Sequence, residues 1–383
     1  MKIVYCLPQL YHPGGIEHVT TLKANYLSDK YGHEITIIAT NQQKQNPFFK
    51  LSNAIKVIDL SLDYEKTLSM SILKRLIVRH HLHLEHKRKL TLILNELKPD
   101  ITISTFTHES GFLPTIKDKS KKVLESHFCR GHKRIVAKTF HYPIIKKILF
   151  NIRCWQEENL IIPRYDKFIV LTEEDRNLWS TKINNIISIP NILSFTNSSY
   201  SPLTAKRAIA VGRLDAQKGF DVLIGMWASI VKECPDWRLD IYGQGEDENK
   251  MKKQIHDLNL QTSVFINIPS PQIELCYLQS SLLLMTSRYE GWGMVLTEAM
   301  QCGVPAVAFS CKCGPQDIIK DKEDGLCIPI NQKELFIKST INIMKDSELR
   351  KTMGEKARKN IQRYSIEKIM PIWNNLFNNL KTK

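Results

Sequence analysis

Glu290 and Glu298 are two carboxylates separated by seven residues, and a glycine-bearing turn lies between them. Gly291 and Gly293 form that turn directly before a stretch of good helix formers that begins at Met294. Such a turn leaves the first N–H groups of the helix unpaired, so they can bind an anion. A carboxylate set directly against a phosphate would repel it. The pattern therefore predicts a ligand with a central diphosphate and hydroxylated rings at both ends, such as a nucleotide-sugar.

Arg213 and Lys218 are two cations that follow the predicted strand 208–212 in one loop. Isolated basic residues are more often ordinary surface charges than substrate ligands. These two are expected at the carboxyl end of a strand in the same sheet as Glu290, which is the edge where open α/β sheets bind ligands. Their position therefore favours contact with the diphosphate.

Two further groups lie in the first half of the chain. His127 follows one predicted strand, and Gly14, Gly15 and Glu17 follow another. Both positions would face the ligand crevice of a parallel sheet. A lone histidine is more often structural than functional, and the two glycines could simply turn the chain. The residues alone leave these alternatives open.

Short apolar runs alternate with helical stretches along both halves, which is typical of parallel α/β domains. The predicted strands are 3–7, 33–40, 55–60, 100–106, 122–125, 167–172 and 186–192, and then 208–212, 237–242, 264–268, 282–285 and 304–309. The serine-rich stretch 193–202 predicts a linker. We therefore expect two Rossmann-like domains, residues 1–194 and 195–365, that face each other across a deep cleft. A last helix in 366–383 is expected to pack back on the first domain.

The net charge of +15 is concentrated in residues 66–155, which contain 19 lysines and arginines against 6 acidic residues. This concentration indicates an anionic partner, either a membrane leaflet or nucleic acid, unless it is simply a solvated face. In the predicted helix 64–98, Leu68, Ile72 and Leu76 recur at helical spacing among basic residues. They could contact anionic lipid or form part of the core. The segment lacks clustered aromatic residues for base stacking, which disfavours nucleic acid.

Metal and disulfide chemistry have little support in the sequence. The nine cysteines form no CxxC pair, so reduced thiols are expected. There is no Asp-x-Asp motif for a metal-bridged diphosphate, and the acidic run 246–248 is better interpreted as the start of a helix. The apolar run at the start is too short for a signal peptide or a spanning helix. We expect no metal, no cofactor and a cytoplasmic location.

Taken together, these motifs resemble the retaining glycosyltransferases of the GT-B fold, family four (glycosyl transferases group 1). The Glu-x7-Glu stretch 290–298 and the segment VGRLDAQKGFDVLI, which contains Arg213 and Lys218, carry the resemblance. It extends over nearly the whole chain and is strongest in 208–320. The fold that it implies agrees with the two α/β halves.

The resemblance implies roles for individual residues. Arg213 and Lys218 would neutralise the leaving diphosphate, Glu290 would hold the donor sugar, and His127 would lie near that sugar. Glu298 would hold the ribose. Implied donor-binding positions are Gly14, Gly15, Glu17, Gly212, Gly243, Gly291, Trp292, Gly293, Met294, Val295 and Glu298.

The function that the resemblance implies is metal-independent transfer of a hexose or N-acetylhexosamine from a nucleotide-sugar, with UDP as the expected nucleotide. The expected acceptor is a lipid-linked saccharide or polysaccharide in cell-surface glycan synthesis. The basic segment would place the enzyme on the inner leaflet of the cytoplasmic membrane. Two alternatives remain, a nucleotide-sugar epimerase of the same fold and a basic nucleic-acid-binding protein.

Overall fold

Two parallel β-sheets, one in each half of the chain, form the framework of the structure. The computed structural model describes residues 1–140, 142–195 and 199–382, so Thr196, Asn197 and Ser198 of the predicted linker lie outside the described residues. The two-domain α/β architecture expected from the sequence is confirmed.

The first sheet has the strand order β3-β2-β1-β4-β5-β6-β7. Its strands are β1 Lys2–Leu7, β2 Glu34–Ala39, β3 Lys56–Asp59, β4 Ile101–Ser104, β5 Lys121–Glu125, β6 Lys167–Val170 and β7 Ile186–Ser188. The central strands are almost continuously buried, because helices cover both faces of a parallel sheet. The order reverses between β1 and β4, and ligands of such sheets bind at the carboxyl ends there.

The second sheet has the order β10-β9-β8-β11-β12-β13. Its strands are β8 Arg207–Val211, β9 Arg238–Tyr242, β10 Val264–Asn267, β11 Leu282–Met285, β12 Ala306–Phe309 and β13 Gly325–Ile328. The sequence analysis missed β13. This strand has only four residues, and its two middle residues are only partly buried, so its apolar signal is weak.

Helices pack on both sheets. Those of the first half are α1 Gly15–Asp29, α2 Ile72–Leu97, α3 His132–Thr139, α4 Ile144–Gln156 and α5 Glu173–Ser180. Those of the second half are α6 Phe220–Glu233, α7 Glu248–Asp257, α8 Ile273–Leu278, α9 Met294–Gln301, α10 Pro315–Ile318, α11 Lys333–Lys345, α12 Ser347–Ile361 and α13 Ile366–Lys381. The single helix predicted over 143–162 is instead α4 followed by a π-helical turn, Glu157–Ile161, and a short 3₁₀ helix, Ile162–Arg164.

The basic helix α2 has two different halves. Leu90 and Leu94 near its end are fully buried and belong to the core of the first domain. Ile72 and Leu76 near its start are 75% and 63% exposed, and Leu68 just before the helix is 61% exposed. Both alternatives left open by the sequence therefore apply, since the end of the helix packs in the core and its beginning presents apolar side chains to the surface.

The last helix, α13, packs against α1 of the first domain. The ring of Trp373 lies 4.2 Å from the Lys23 ammonium group, and Lys381 forms an ion pair with Asp100 at 3.1 Å. The chain thus crosses between the domains twice, once after β7 and once before α13. The two crossings are joined by a hydrogen bond of 3.1 Å, in which the Leu193 N–H donates to the Tyr364 carbonyl.

We predict that Trp373→Ala lowers the free energy of unfolding by about 3–5 kcal/mol, because it leaves a cavity in a fully buried contact between α13 and the first domain. Trp155→Ala is the matched control. Trp155 is 55% exposed, so its loss should change stability by only about 0.5 kcal/mol. Urea unfolding followed by circular dichroism measures both. Equal midpoints for the two variants would contradict the packing of α13.

Candidate functional site

The site is organised around an ion pair between two loops of the second domain. Lys218 lies in the loop after β8 and Glu290 in the turn after β11, and these two strands are neighbours in the sheet. The Lys218 ammonium group donates a hydrogen bond of 2.6 Å to Glu290 Oε1. Both side chains are largely buried, at 16% and 8% exposure. The structure therefore brings together the two charges that the sequence placed 72 residues apart.

Two glycines make room for the Lys218 side chain. A β-carbon at Gly212 would lie 2.9 Å from Lys218 Cε and 3.0 Å from its Cγ and Cδ. A β-carbon at Gly243, at the end of the neighbouring strand β9, would overlap the Gly212 carbonyl oxygen. Glycine at both positions lets the lysine lie flat across the carboxyl edge of the sheet. The sequence prediction for these glycines was ligand contact, and in the structure they position Lys218.

Gly291 is the point at which the two domains approach most tightly in the site. A β-carbon there would overlap the backbone carbonyl of His127, which belongs to the first domain. The next residue, Trp292, is buried with its ring edge-on to Tyr364 at 4.9 Å. Gly293 follows with φ +98°, in the left-handed region that glycine adopts without strain, and it is the N-cap of α9. These three residues thus fix where α9 begins.

The start of α9 faces the glycine loop of the first domain. Gly293 has no side chain to cap the helix, so the first N–H groups of α9 receive no side-chain cap. Met294 lies at this end, and a β-carbon at Gly15 would be 3.8 Å from its Cγ. Asn191 of the first domain donates to the Met294 sulfur at 3.6 Å. A ligand on the helix N-terminus formed by Met294 and Val295 would therefore lie between the two domains.

Glu298, one helical stretch further on, accepts hydrogen bonds from two hydroxyl groups. Ser194 donates at 2.9 Å and Tyr277 at 3.0 Å. Burial raises the pKa of this carboxyl group, and the two hydroxyl donors partly offset that effect. The sequence analysis named neither partner. Hydroxyl donors are also what a ribose would offer to this carboxylate.

His127 is buried at the end of β5, with its Nε2 atom 3.4 Å from Glu125 Oε1. Glu125 is ion-paired with Lys23, another buried group. Burial lowers the pKa of His127 to about 4; Glu125 opposes the shift, and Lys23 adds to it. The imidazole is therefore neutral near pH 7. Among the described residues, Nε2 has no hydrogen-bond partner.

Arg213, Gly14 and Glu17 lie apart from the Lys218 pair. Arg213 is 72% exposed and bonds to Asp215 at 3.2 Å and to Gln217 at 3.0 Å. Glu17 is buried against Gly14 and accepts a hydrogen bond from Gln9 at 2.9 Å. Burial raises the pKa of Glu17. These residues lie in the predicted loops, but none of them bonds directly to Lys218 or Glu290 within the described part of the chain.

A second set of contacts between the domains was not anticipated. Lys312 donates to the Arg130 carbonyl at 2.7 Å, the Cys313 N–H donates to Glu174 at 2.9 Å, and the Glu173 N–H donates to Asp317 at 3.0 Å. In the sequence, Cys311-Lys312-Cys313 suggested only a question about metal binding. All nine cysteines are free, and no group of three potential metal ligands occurs among the described residues.

Comparison with known proteins adds a family and a fold. Residues 195–360 match the family model described as glycosyl transferases group 1. An "Uncharacterized glycosyltransferase" of Haemophilus influenzae is 29% identical over 380 residues, which cover 97% of this chain and 98% of the relative. The amylovoran biosynthesis glycosyltransferase AmsD of Erwinia amylovora is 35% identical over 222 residues, or 56% of this chain and 62% of the relative.

Solved structures show the same architecture. The structure of S. aureus TarM in complex with Fondaparinux, alpha-GlcNAc-glycerol and UDP aligns with a TM-score of 0.79 at 18% identity. The alignment covers 98% of this chain and 99% of that one. At this identity the likeness concerns the fold, and it confirms the two-domain GT-B arrangement.

We predict that Gly291→Ala forces the two walls of the site apart, because the new methyl group overlaps the His127 carbonyl. Thermal unfolding should occur at a lower temperature than in the wild type, and small-angle scattering should show a larger radius of gyration. Gly225→Ala on α6 is the control. A β-carbon there has only the Gln254 amide nitrogen at 3.7 Å, and alanine favours a helix by up to about 1 kcal/mol. Wild-type behaviour of Gly291→Ala would contradict the close approach.

Proposed function

The chain is a glycosyltransferase with a glycosyl transferases group 1 domain over residues 195–360 and the GT-B fold, and from this premise we propose that it transfers a hexose or N-acetylhexosamine from a UDP-sugar. The acceptor is a lipid-linked saccharide or polysaccharide of cell-surface glycan synthesis. The transfer retains the anomeric configuration and requires no metal ion. UDP is the nucleotide in the similar TarM structure, and the relative AmsD is a glycosyltransferase of amylovoran biosynthesis.

The observation that carries the proposal is the Lys218–Glu290 ion pair beside the N-terminus of α9. Negative charge builds on the diphosphate as the glycosidic bond breaks. A cation and helix N–H groups that are already in place stabilise this charge most at the transition state. Glu290, held by Lys218, accepts hydrogen bonds from the donor sugar. Glu298 holds the ribose, and Arg213 supplies a second cation at the outer rim.

The two acids do not act as a glycosidase pair in this proposal. A retaining glycosidase needs one carboxylate as nucleophile and another as acid on the same bond. Here Glu290 is ion-paired with Lys218, and Glu298 accepts hydrogen bonds from Ser194 and Tyr277. The acceptor hydroxyl therefore attacks on the face from which UDP leaves, and a departing phosphate oxygen takes its proton. Neutral His127 lies at the donor sugar as a hydrogen-bonding group.

We predict that purified protein slowly hydrolyses its UDP-sugar, and that Lys218→Ala and Glu290→Gln each lower kcat/KM roughly 100-fold, the effect expected for one preorganised electrostatic contact. Lys252→Ala is the matched control, because Lys252 pairs with Glu248 at the same 2.6 Å but on the exposed face of α7. A coupled assay for released UDP measures the rates, before and after EDTA treatment.

Three results would count against this assignment. Unchanged turnover in both site variants would exclude the Lys218–Glu290 pair, and loss of turnover with EDTA would exclude metal independence. Appearance of a new free nucleotide-sugar in the NMR spectrum would favour the epimerase alternative.

We also propose that the enzyme docks on an anionic membrane surface, where a lipid-linked acceptor is found. The surface that supports this proposal, which we call the apolar-basic face, consists of the exposed side chains at the start of α2 and along α4. Its apolar members are Ile72, Leu73, Leu76, Ile77, Ile144, Ile145, Ile148, Leu149, Ile152 and Trp155, each 49–77% exposed. Exposed Lys74, Lys146 and Lys147 lie among them. Apolar side chains flanked by lysines are suited to the interface of an anionic leaflet. No helix among the described residues could span a bilayer.

We predict that the protein floats with vesicles containing phosphatidylglycerol and not with pure phosphatidylcholine vesicles at low salt. Replacing Lys146 and Lys147 together by glutamine should weaken partitioning roughly 30-fold, from about 1 kcal/mol per basic residue. Replacing Ile144 and Ile145 by serine should also release the protein. Ile268→Ser serves as the control, because Ile268 is 84% exposed but lies in the second domain. Equal flotation with both kinds of vesicle would refute the docking surface.

A further inference from the structure

A cavity of about 650 Å³ opens at the carboxyl edge of the first sheet, outside the site described above. Pro8 lines it from the loop after β1, the loop that continues to Gly14 and Gly15, and Thr107 and His108 line it from the loop after β4. Its remaining walls come from α2, α3 and α4. The cavity therefore lies between the loops of the site and the two helices that form the apolar-basic face.

The walls of this cavity carry excess positive charge. Arg79 of α2, Lys133 of α3 and Arg153 of α4 line it together with one carboxylate, Glu157. Lys133 and Arg153 share Glu157, which Arg153 contacts at 2.9 Å. Within the described part of the chain, Arg79 has no carboxylate within ion-pair distance. Three cations thus face one anion, and the balance of two positive charges corresponds to the charge of a phosphate or diphosphate group.

The guanidinium group of Arg79 is held in place by the protein. Its Nε atom donates to Thr67 Oγ1 at 2.9 Å, and Thr67 is itself buried. A fixed guanidinium group offers its remaining N–H donors in a planar fork that matches phosphate oxygens. Opposite this charge, the ring of His108 stacks on Tyr64 at 3.9 Å and forms an aromatic wall.

The histidines of the cavity report the same positive field independently. The pKa of His108 is lowered to about 4, first by desolvation in the cavity and then by the Arg79, His83 and Arg153 charges. The pKa of His83 is lowered by desolvation and by His80, Lys87 and Arg153. Both imidazoles are therefore neutral near pH 7, and the charge of the cavity comes from Arg79, Lys133 and Arg153.

We propose that this cavity binds the phosphate group that joins the acceptor saccharide to its carrier. The inference rests on the proposed transfer to a carrier-linked acceptor and specifies the chemistry of that acceptor. A phosphate held between α2 and α4 leaves the carrier at the apolar-basic face, while the saccharide extends along the sheet edge towards His127 and the Gly14–Gly15 loop. The carrier is either a prenyl lipid with a diphosphate or a chain of polyol phosphates, and the recognised group is the phosphate in both cases.

The test measures binding of inorganic pyrophosphate by calorimetry to the full chain in saturating UDP, so that the Lys218 site is occupied. Arg79→Gln and Arg153→Gln should each weaken binding roughly tenfold, as expected for loss of one charge-assisted hydrogen bond. Arg88→Gln is the matched control, because Arg88 is an exposed arginine on the same helix and is not among the residues that line the cavity. Geranyl diphosphate and glycerol 3-phosphate, titrated in the same way, distinguish the two carriers by which of them binds more tightly.

A loss confined to Arg79→Gln and Arg153→Gln supports the cavity. Absence of pyrophosphate binding, or an equal loss in Arg88→Gln, overturns it, since the charge effect would then be general. UDP binding is measured separately before each titration. Its absence would contradict the donor proposal, while the comparison of Arg79→Gln with Arg88→Gln would still decide whether the cavity binds phosphate.

Discussion

The close approach of Gly291 to the His127 carbonyl is the constraint on which the rest of the site depends. Only a residue without a side chain allows the turn after β11 to lie against the first domain. This contact sets the start of α9, and Met294 at that start then lies opposite Gly15. The two walls are therefore positioned by backbone packing, and their charged side chains are carried into place with them.

Charge in the site is balanced locally by short ion pairs and hydrogen bonds. Lys218 is fixed by Glu290, and Glu298 by two hydroxyl donors. Side chains held in this way need little further ordering when they contact a substrate, so less conformational entropy is lost on binding. The buried Lys23–Glu125 pair acts similarly behind His127, where its surroundings keep the imidazole neutral.

The sequence predicted the strands and most helices because apolar runs and glycine turns are local signals. It also predicted that Lys218 and Glu290 belong to one site, since both follow strands of the same sheet. It could not predict that Ser194 bonds to Glu298, because these residues are 104 positions apart and Ser194 lies in the stretch expected to be only a linker. Nor could periodicity separate the buried end of α2 from its exposed start, because the difference depends on which part of the helix reaches the sheet. The role of Gly291 was also inaccessible, since it depends on a carbonyl of the other domain.

The hydrogen bond between Leu193 and Tyr364 joins the two places where the chain crosses between domains. Because these crossings are adjacent, the relative motion that disturbs the fewest contacts is a rotation about them, as in a hinge, rather than sliding of one domain over the other. All contacts that bridge the cleft, from Asn191–Met294 to Lys312–Arg130, lie on one angular coordinate. A substrate that binds both walls at once therefore draws its affinity from a single angle of closure, and the energy of binding is coupled directly to that rotation.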